Sequence, residues 1–283
     1  MYTILVFILG LIFGSFLSTV FHRLEIETET DSARRGKSRR RKKAAEGLAS
    51  GRSRCDHCKR QIPWHDNIPL ASFLLLRGKC RHCGKQISEY HPVLELTSGL
   101  ALVAAFLAYG FSWQFLVAGF FGLVMVFLFA YDLRHQIIPN VVVIPAIAVA
   151  LVVILFQYVL FQQGVPIPLG LWSADPDTYL LGGGVAGLFF LGLSAASGGR
   201  WIGGGDVKLA ALIGLVLGWP AVVVAIFIAY LIGLLYALIL LATRHATLKS
   251  YVPFGPMLVA GYFIAAFYAD YFLNWYEGLV LLQ

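Results

Sequence analysis

The chain has 283 residues, of which 59% are hydrophobic and only 13% are charged, and its mean hydropathy is +0.76. A soluble domain carries about 25% charged residues, so this composition excludes an ordinary water-soluble globular protein. The charge is unevenly placed, because 17 of the 22 Lys and Arg residues, eight of the 15 acids and all four cysteines lie within residues 22–91. The composition therefore predicts a multi-pass membrane protein with one polar, cysteine-bearing loop.

Eight apolar runs predict an all-α polytopic fold of about eight transmembrane helices. A helix of about 20 residues covers a hydrocarbon core of about 30 Å. Seven runs approach that length, and the short run 207–219 is retained because of the charge pattern described next. The eight runs are 2–21, 93–109, 113–131, 141–163, 179–197, 207–219, 220–242 and 254–273.

With eight spans, the basic residues collect on one side of the membrane, and the other side receives acids and almost no cations. The basic side receives loop 22–91, Arg134, Arg200, Arg244 and Lys249, and the acidic side receives Asp175, Asp177, Asp270 and Glu277. The positive-inside rule then places the loop in the cytoplasm and both termini outside. The predicted divisions are a first helix (1–21), a cytoplasmic loop (22–91) and a seven-helix membrane core (92–283).

The first half of the loop, residues 25–54, is predicted to be disordered. It has few aliphatic and no aromatic residues, and eight cations fall within positions 34–43. Such a segment cannot bury enough apolar surface to fold. A nucleic-acid arm is conceivable, but next to a membrane anchor the cations favour anionic membrane lipid as a partner and not nucleic acid.

Two CxxC pairs in the second half of the loop, residues 55–83, predict a structural zinc site. The pairs are Cys55 with Cys58 and Cys80 with Cys83. Two such hooks allow four thiolates to converge on one Zn²⁺, as in a zinc ribbon. Disulfides and a redox pair are the alternatives, and a reducing cytoplasm and the doubled motif disfavour them. His57 and His82 lie inside the pairs and could substitute as ligands.

Two acids at the ends of spans are the candidate catalytic groups. Asp132 follows the third span and Asp206 precedes the sixth. Because two crossings return the chain to the same side, both carboxylates are expected at the cytoplasmic boundary. Acids at membrane depth are costly and indicate function. The alternative for either residue alone is a helix cap, or an ion pair with Arg134 or Lys208.

Paired aspartates predict aspartyl hydrolysis of a peptide bond. Two carboxylates a few ångströms apart share one proton, because like charges at that distance cannot both ionise. The ionised member accepts a proton from water, and the protonated member donates to the peptide carbonyl oxygen. Other protease classes have less support, since the sequence lacks HExxH and Ser194, in Gly192-Leu-Ser, has no histidine within a span to act as its base.

A set of short motifs runs in order through most of the chain. They are Gly14–Leu17, His22–Leu24, both cysteine pairs, Asn67–Leu70, Leu76–Cys80, His91–Leu96, Asp132 with Ile138–Asn140, Gly203–Leu209 and Pro253–Pro256. A lone GxGD at residues 203–206 would be weak, but the ordered set resembles one family closely. That family is the type IV prepilin peptidases, bacterial aspartic membrane proteases of the GxGD class.

The resemblance implies substrates, an activity and site residues. These enzymes cut the leader from prepilins and pseudopilins at the cytoplasmic face of the bacterial inner membrane. Most then methylate the new N-terminal residue with S-adenosylmethionine. Asp132 and Asp206 match the catalytic aspartates, so residues 92–283 would be a peptidase core. The cysteine loop matches the bifunctional members, and Glu95 would order the methylation region or cap its helix.

The sequence also departs from the family pattern. Ser18 stands where Asn is common, Asn140 stands where many members have Asp, and residues 25–54 resemble an enlarged insert. No glycine-rich loop after a strand indicates S-adenosylmethionine independently. A peptidase without methyltransferase activity is therefore one alternative, and a transporter in which the aspartates relay protons is another. Paired internal repeats would favour the transporter, and none is evident. The oligomeric state is not predicted.

Overall fold

The computed structural model describes residues 2–34, 55, 57–165, 173, 175–243 and 253–281. These residues are helical or irregular, and their only β-pairing is a single bridge between Lys79 and Gln86. The chain forms two compact units, residues 1–107 and 108–283. The all-helical membrane fold predicted from the sequence is confirmed.

The first unit contains two long helices and a compact loop. Helix α1 spans Tyr2–Arg34, α3 spans Tyr90–Tyr109, and the loop holds a 3-10 turn (Trp64–Asn67) and the short helix α2 (Ala71–Leu75). The long helices are antiparallel and nearly touch at two glycines of α1. A Cβ added at Gly10 would lie 2.6 Å from the Gly99 Cα, and one added at Gly14 would lie 2.6 Å from the Glu95 Cα. Gly10 and Gly14, which form a GxxxG pair, therefore allow close helix packing.

Helix α1 continues beyond the predicted membrane boundary. The structure keeps residues 25–34 helical, whereas the sequence predicted disorder from residue 25 onward. No glycine or proline occurs between Gly14 and Gly36, and extending an existing helix costs far less than nucleating a new one. The remainder of the predicted disordered insert, residues 35–54, lies outside the described residues.

The described residues of the second unit form a bundle of six helices. They are α4 (Trp113–His135), α5 (Asn140–Gln162), α6 (Asp177–Ser197), α7 (Gly204–Leu217), α8 (Ala221–Ala242) and α9 (Gly255–Leu281). Helix α4 is the most enclosed candidate span, with 67% of its most apolar window buried. Helix α7 is also heavily buried, and Leu212, Ile213 and Leu217 are at most 1% exposed. The remaining helices turn large apolar side chains outward, as expected for surfaces that face lipid.

Helices α6 and α7 pack backbone against backbone through glycines. A Cβ at Gly214 would lie 2.7 Å from the Gly183 backbone nitrogen, and one at Gly182 would lie 2.7 Å from the Gly214 carbonyl oxygen. At one end of the pair Ser194 Oγ donates to the Ile202 carbonyl, and at the other Trp219 N–H donates to the Thr178 carbonyl. The segment 202–219 therefore runs antiparallel along most of the length of α6.

The described residues contain seven helices that are long and apolar enough to cross a membrane, one fewer than the sequence predicted. They are α1, α3, α4, α5, α6, α8 and α9. Helix α7 has 14 residues, about 21 Å, and falls short on length alone. With its non-helical flanks, segment 202–219 runs beside residues 178–194 of α6, a length of about 24 Å.

Candidate functional site

The four cysteines of the loop converge on one point. Their sulfur atoms all lie within 4.8 Å of one another, and the Cys55 and Cys83 sulfurs are 3.8 Å apart. Zinc–sulfur bonds of about 2.3 Å in a tetrahedron place the sulfurs about 3.8 Å apart. The thiol cluster therefore has the size and donor set of a four-cysteine zinc site. His57 and His82 are not part of this cluster.

The two cysteine pairs have the same local fold. The backbone N–H of Cys55 donates to the Arg60 carbonyl at 2.9 Å, and that of Cys80 donates to the Lys85 carbonyl at 2.8 Å. Backbone N–H groups of Cys83 and His82 lower the pKa of the Cys80 thiol to about 7. Burial raises the pKa of the Cys55 thiol to about 11. Because the thiolate is the metal ligand, the turn at Cys80 favours the state that binds zinc.

An ion pair joins the 3-10 turn to the second cysteine pair. Arg81 Nη2 lies 2.6 Å from Asp66 Oδ1, and Arg81 Nε lies 2.8 Å from Asp66 Oδ2. This fork of hydrogen bonds lowers the pKa of the Asp66 carboxyl. The ion pair therefore connects residues 64–67 to the second cysteine pair.

The first unit encloses a cavity of about 300 Å³ between α1, the start of α3 and the loop. Cys55 and Cys80 form part of its wall, so the cysteine cluster and the cavity share residues. Arg23, Lys59 and Arg60 give the lining a basic character. The volume is at the lower end of the range for small-molecule sites.

Glu95 lies in the same cavity and is 7% exposed. Its Oε2 accepts a hydrogen bond of 2.8 Å from the Leu70 backbone N–H, and its carboxylate also accepts one from the Ser15 hydroxyl. Leu70 has a positive φ of 56°, which is rare for a leucine. Glu95 is therefore a buried carboxylate held by the loop.

In the second unit, both candidate aspartates are buried at helix ends. Asp132 lies in the last turn of α4 and is 5% exposed, and Asp206 lies in the first turn of α7 and is 7% exposed. The two carboxylates are close enough to interact electrostatically. Asp206 Oδ2 also accepts a hydrogen bond of 3.3 Å from the Gly203 N–H, so it caps α7 as well.

Neither aspartate has a cationic partner among the described residues. Lys208, one alternative partner, donates to Asn140 Oδ1 at 2.7 Å instead. Tyr230 of α8 lies close enough to Asp206 to interact with its charge. Among the described residues the two acids are thus buried without a cationic partner, and the charge of Asp206 reaches Asp132.

The start of α9 and the α4–α5 link complete the surroundings of the pair. A Cβ added at Gly255 would collide with Asp132 Oδ2. Ile138 lies between the helices, since a Cβ at Gly205 would be 3.1 Å from its Cβ and one at Gly255 would be 3.5 Å from its Cδ1. Backbone from three separate segments therefore meets at the aspartates.

Four of the residues that contact these acids lie inside motifs quoted from the sequence without a role at the site, and Tyr230 was not singled out; the four are Ser15, Leu70, Ile138 and Gly255. The prolines at 253 and 256 marked the approach to the last span, but nothing in the sequence indicated that Gly255 would meet Asp132. Leu70 donates to Glu95 through its backbone N–H, so the identity of its side chain does not indicate this hydrogen bond.

Two family models match the chain. The Bacterial Peptidase A24 N-terminal domain covers residues 8–109, and the Type IV leader peptidase family covers residues 119–238. A relative in Bacillus subtilis (strain 168), named "Prepilin leader peptidase/N-methyltransferase", is 31% identical over 98% of this chain and 98% of its own. The chain belongs to the type IV leader peptidase family.

Other relatives within the type IV leader peptidase family carry the same name. One in Stutzerimonas stutzeri is 33% identical over 93% of this chain and 89% of its own, and one in Aeromonas hydrophila is 31% identical over 98% and 94%. The leader peptidase match contains both aspartates, and the N-terminal match contains Glu95 and all four cysteines. No solved structure matches the chain.

Proposed function

We propose that this protein is a membrane aspartyl peptidase that removes the leader from type IV prepilins and pseudopilins and then N-methylates the new N-terminal residue. The buried pair Asp132 and Asp206, without a counter-ion among the described residues, carries the proposal. The names of the relatives support both activities. They do not favour a peptidase without methylation or a transporter.

The aspartate pair would act on a water molecule and the scissile peptide together. The ionised carboxylate accepts a proton from water as the oxygen attacks the peptide carbon, and the protonated carboxylate donates to the carbonyl oxygen. Collapse of the tetrahedral intermediate then breaks the C–N bond and leaves the amine protonated. Burial of both acids supports this reaction, because charge stabilisation is stronger in a site with little water.

The four cysteines would hold one structural Zn²⁺. Four sulfur ligands fill a tetrahedral site and leave no position for water, so the metal stabilises the loop and does not hydrolyse peptides. Because Cys55 and Cys80 also line the cavity, metal binding would hold the cavity wall in place.

The cavity would hold S-adenosylmethionine, which supplies an electrophilic methyl group on a sulfonium sulfur. This ligand has an anionic carboxylate, an α-ammonium group and a positive sulfonium. Arg23, Lys59 and Arg60 provide cations for the carboxylate, and Glu95 provides an acid that has no charged partner among the described residues. The fit supports the first unit as the methylation site.

The protein would reside in the bacterial inner membrane with eight crossings, both termini outside and loop 22–91 in the cytoplasm. The positive-inside rule and the pairing of segment 202–219 with α6 support this orientation. Membrane lipid is then a contact partner of the outward-facing apolar side chains.

The first test uses the variants Asp132→Asn and Asp206→Asn. We expect each to lower prepilin cleavage by about a thousandfold, because the shared-proton mechanism needs both carboxylates. Asp270→Asn, which changes an exposed acid on α9, should leave cleavage unchanged and serves as the control. Substantial cleavage by either active-site variant, in correctly inserted protein, would refute the assignment.

Mass spectrometry of the product N-terminus tests the second activity. Incubation of the wild-type protein with a prepilin and S-adenosylmethionine should give a cleaved, monomethylated product. Cleavage without a methyl group would remove the methyltransferase half of the proposal, and no cleavage would favour the transporter.

A further inference from the structure

Glu95 is the one acid of the cavity that lacks a charged partner among the described residues. The other carboxylate in the lining, Asp66, is held by Arg81. The donors that reach Glu95, the Leu70 N–H and the Ser15 hydroxyl, are both neutral. A buried carboxylate without a counter-charge is costly, so a guest that brings a positive charge would stabilise it.

The remaining charged and titratable groups of the cavity come from α1, α3 and the loop. Besides the cysteine thiols they are His22, Arg23, His57, Lys59, Arg60, Asp66, Arg81, His82 and His91. None of them forms a hydrogen bond or ion pair with Glu95. The negative charge and the remaining acceptor positions of Glu95 are therefore available to a ligand.

A carboxylate offers about four acceptor positions, and two of those on Glu95 are used by Leu70 and Ser15. The free positions suit a cation with N–H donors. An ammonium group supplies both charge and donors, whereas a sulfonium supplies charge alone. The geometry thus favours an amine as the group that meets Glu95.

We propose that Glu95 binds the α-ammonium group of the cleaved substrate and removes one of its protons before methyl transfer. This inference rests on the proposed methyltransferase function and names the residue that acts on the acceptor. An α-amine has a pKa of about 7.7–8.0, so near neutral pH most of it is protonated and has no lone pair for attack.

The proposed step is balanced in protons and electrons. Glu95 takes one proton from R–NH₃⁺, which leaves R–NH₂ with a lone pair. The nitrogen bonds the methyl carbon while the carbon–sulfur bond breaks, giving R–NH₂⁺–CH₃ and a neutral thioether. The carboxylic acid of Glu95 then returns its proton to solvent, and the site is reset.

Peptide binding to the full-length protein tests the inference without turnover. Two synthetic peptides with the mature N-terminal sequence are compared, one with a free α-amine and one N-acetylated. The wild-type protein should bind the free amine about tenfold more tightly, as a charge-assisted hydrogen bond predicts. Glu95→Gln should lose this preference, while Glu89→Gln, which changes an exposed acid outside the cavity, should keep it.

Methylation of the same free-amine peptide gives a second readout. At pH 7 Glu95→Gln should be slower than wild type by about tenfold, because only about a tenth of the amine is neutral without the base. Its rate should rise as the pH passes about 8, where the amine loses its proton to solvent. Prepilin cleavage should be unaffected.

Affinity for the methyl donor shows whether Glu95 binds the substrate amine or the methyl donor itself. S-adenosylmethionine and S-adenosylhomocysteine differ by the methyl group and its charge. If Glu95→Gln weakens binding of the former alone, Glu95 serves the sulfonium, and if it weakens binding of both, Glu95 serves the α-ammonium group of the methyl donor; either result overturns the inference. Unchanged preference for the free amine, or unchanged methylation at pH 7, also overturns it.

Glu95→Asp guards against simple misfolding, because it keeps a carboxylate and should retain part of the free-amine preference. Zinc content reports the fold of the loop in each variant. If Glu95→Gln loses zinc, the Glu95→Asp variant is used for the binding comparison. Equal binding of the two peptides by zinc-loaded Glu95→Asp protein would contradict the inference. If the wild-type protein itself methylates nothing, the proposed function fails and not this step alone.

Discussion

At the scale of single residues, Gly255 controls the space beside a candidate catalytic carboxylate. Any side chain at this position would collide with Asp132 Oδ2. The glycine therefore lets the start of α9 approach the acid, and a larger residue must displace one of them.

We predict that Gly255→Ala lowers kcat for prepilin cleavage by about a hundredfold, since a displacement of about 1 Å in an active site can cost that much. Gly192→Ala is the control, because Gly192 of α6 has no neighbouring atom within 4 Å of an added Cβ. The two variants are compared in initial rates at matched protein levels. Equal rates would show that the Asp132 side chain has room to move.

The acids themselves could be chosen from the sequence, but their surroundings could not. Asp132 and Asp206 stand out because acids are rare near membrane spans. The contact between Gly255 and Asp132 joins residues more than a hundred positions apart, and a sequence gives no distance between them. Glu95 was a candidate by resemblance, whereas its hydrogen bond to Leu70 depends on a backbone conformation with positive φ.

At the scale of elements, the cysteine cluster is the part whose folding should depend most on a ligand. The loop around it has only a 3-10 turn and the five-residue α2 as regular structure. In such a small element, metal binding and folding are one transition.

We predict that replacing Cys55 and Cys58 with serine removes the bound zinc and loosens residues 55–83. Methyl transfer should fall more than peptide cleavage, because Cys55 lines the cavity of the first unit and the aspartates belong to the second. Metal analysis, limited proteolysis and the two activities are the measurements. Full zinc occupancy in the double variant would contradict the four-cysteine site.

The glycines between α6 and α7 make a second prediction at this scale. Gly214→Ala should destabilise the protein by about 1–3 kcal/mol, as overpacking does, because the new methyl group would meet the Gly182 and Gly183 backbone. Gly184→Ala on α6 points into open space and should be neutral or slightly stabilising. Thermal unfolding in detergent compares the two variants. Equal melting temperatures would mean that α6 and α7 can move apart without loss of stability.

Most helices could be predicted because apolar length is a strong signal, and the boundary errors have physical causes. Helix α1 runs beyond its apolar part because nothing in residues 25–34 stops it. The short elements of the loop carry no periodic pattern, so neither α2 nor the 3-10 turn could be predicted. Helix α7 was found through charge placement and not through its length.

At the scale of the whole molecule, the orientation of the chain depends on whether segment 202–219 crosses the membrane. Eight crossings place both termini on one side, and seven would place them on opposite sides. The contacts of this segment along α6 favour eight.

We predict that an alkaline phosphatase fusion at the C-terminus is active and a green fluorescent protein fusion there is dark. The reverse result is expected for fusions within residues 40–50, which precede the cysteine cluster. A fluorescent C-terminal fusion would mean that segment 202–219 turns back without crossing.

The shortness of α7 has a consequence for the lipid around the protein. Asp206 lies between residue 202, level with Ser194 of α6, and residue 211, level with Gly187. The carboxylate therefore sits about one to two turns below the end of α6 at Ser197. Hydrophobic mismatch makes a thick bilayer bury this level more deeply and a thin one expose it to water. A peptidase that uses this carboxylate needs water at that depth, so we expect its cleavage rate to depend on the thickness of the bilayer.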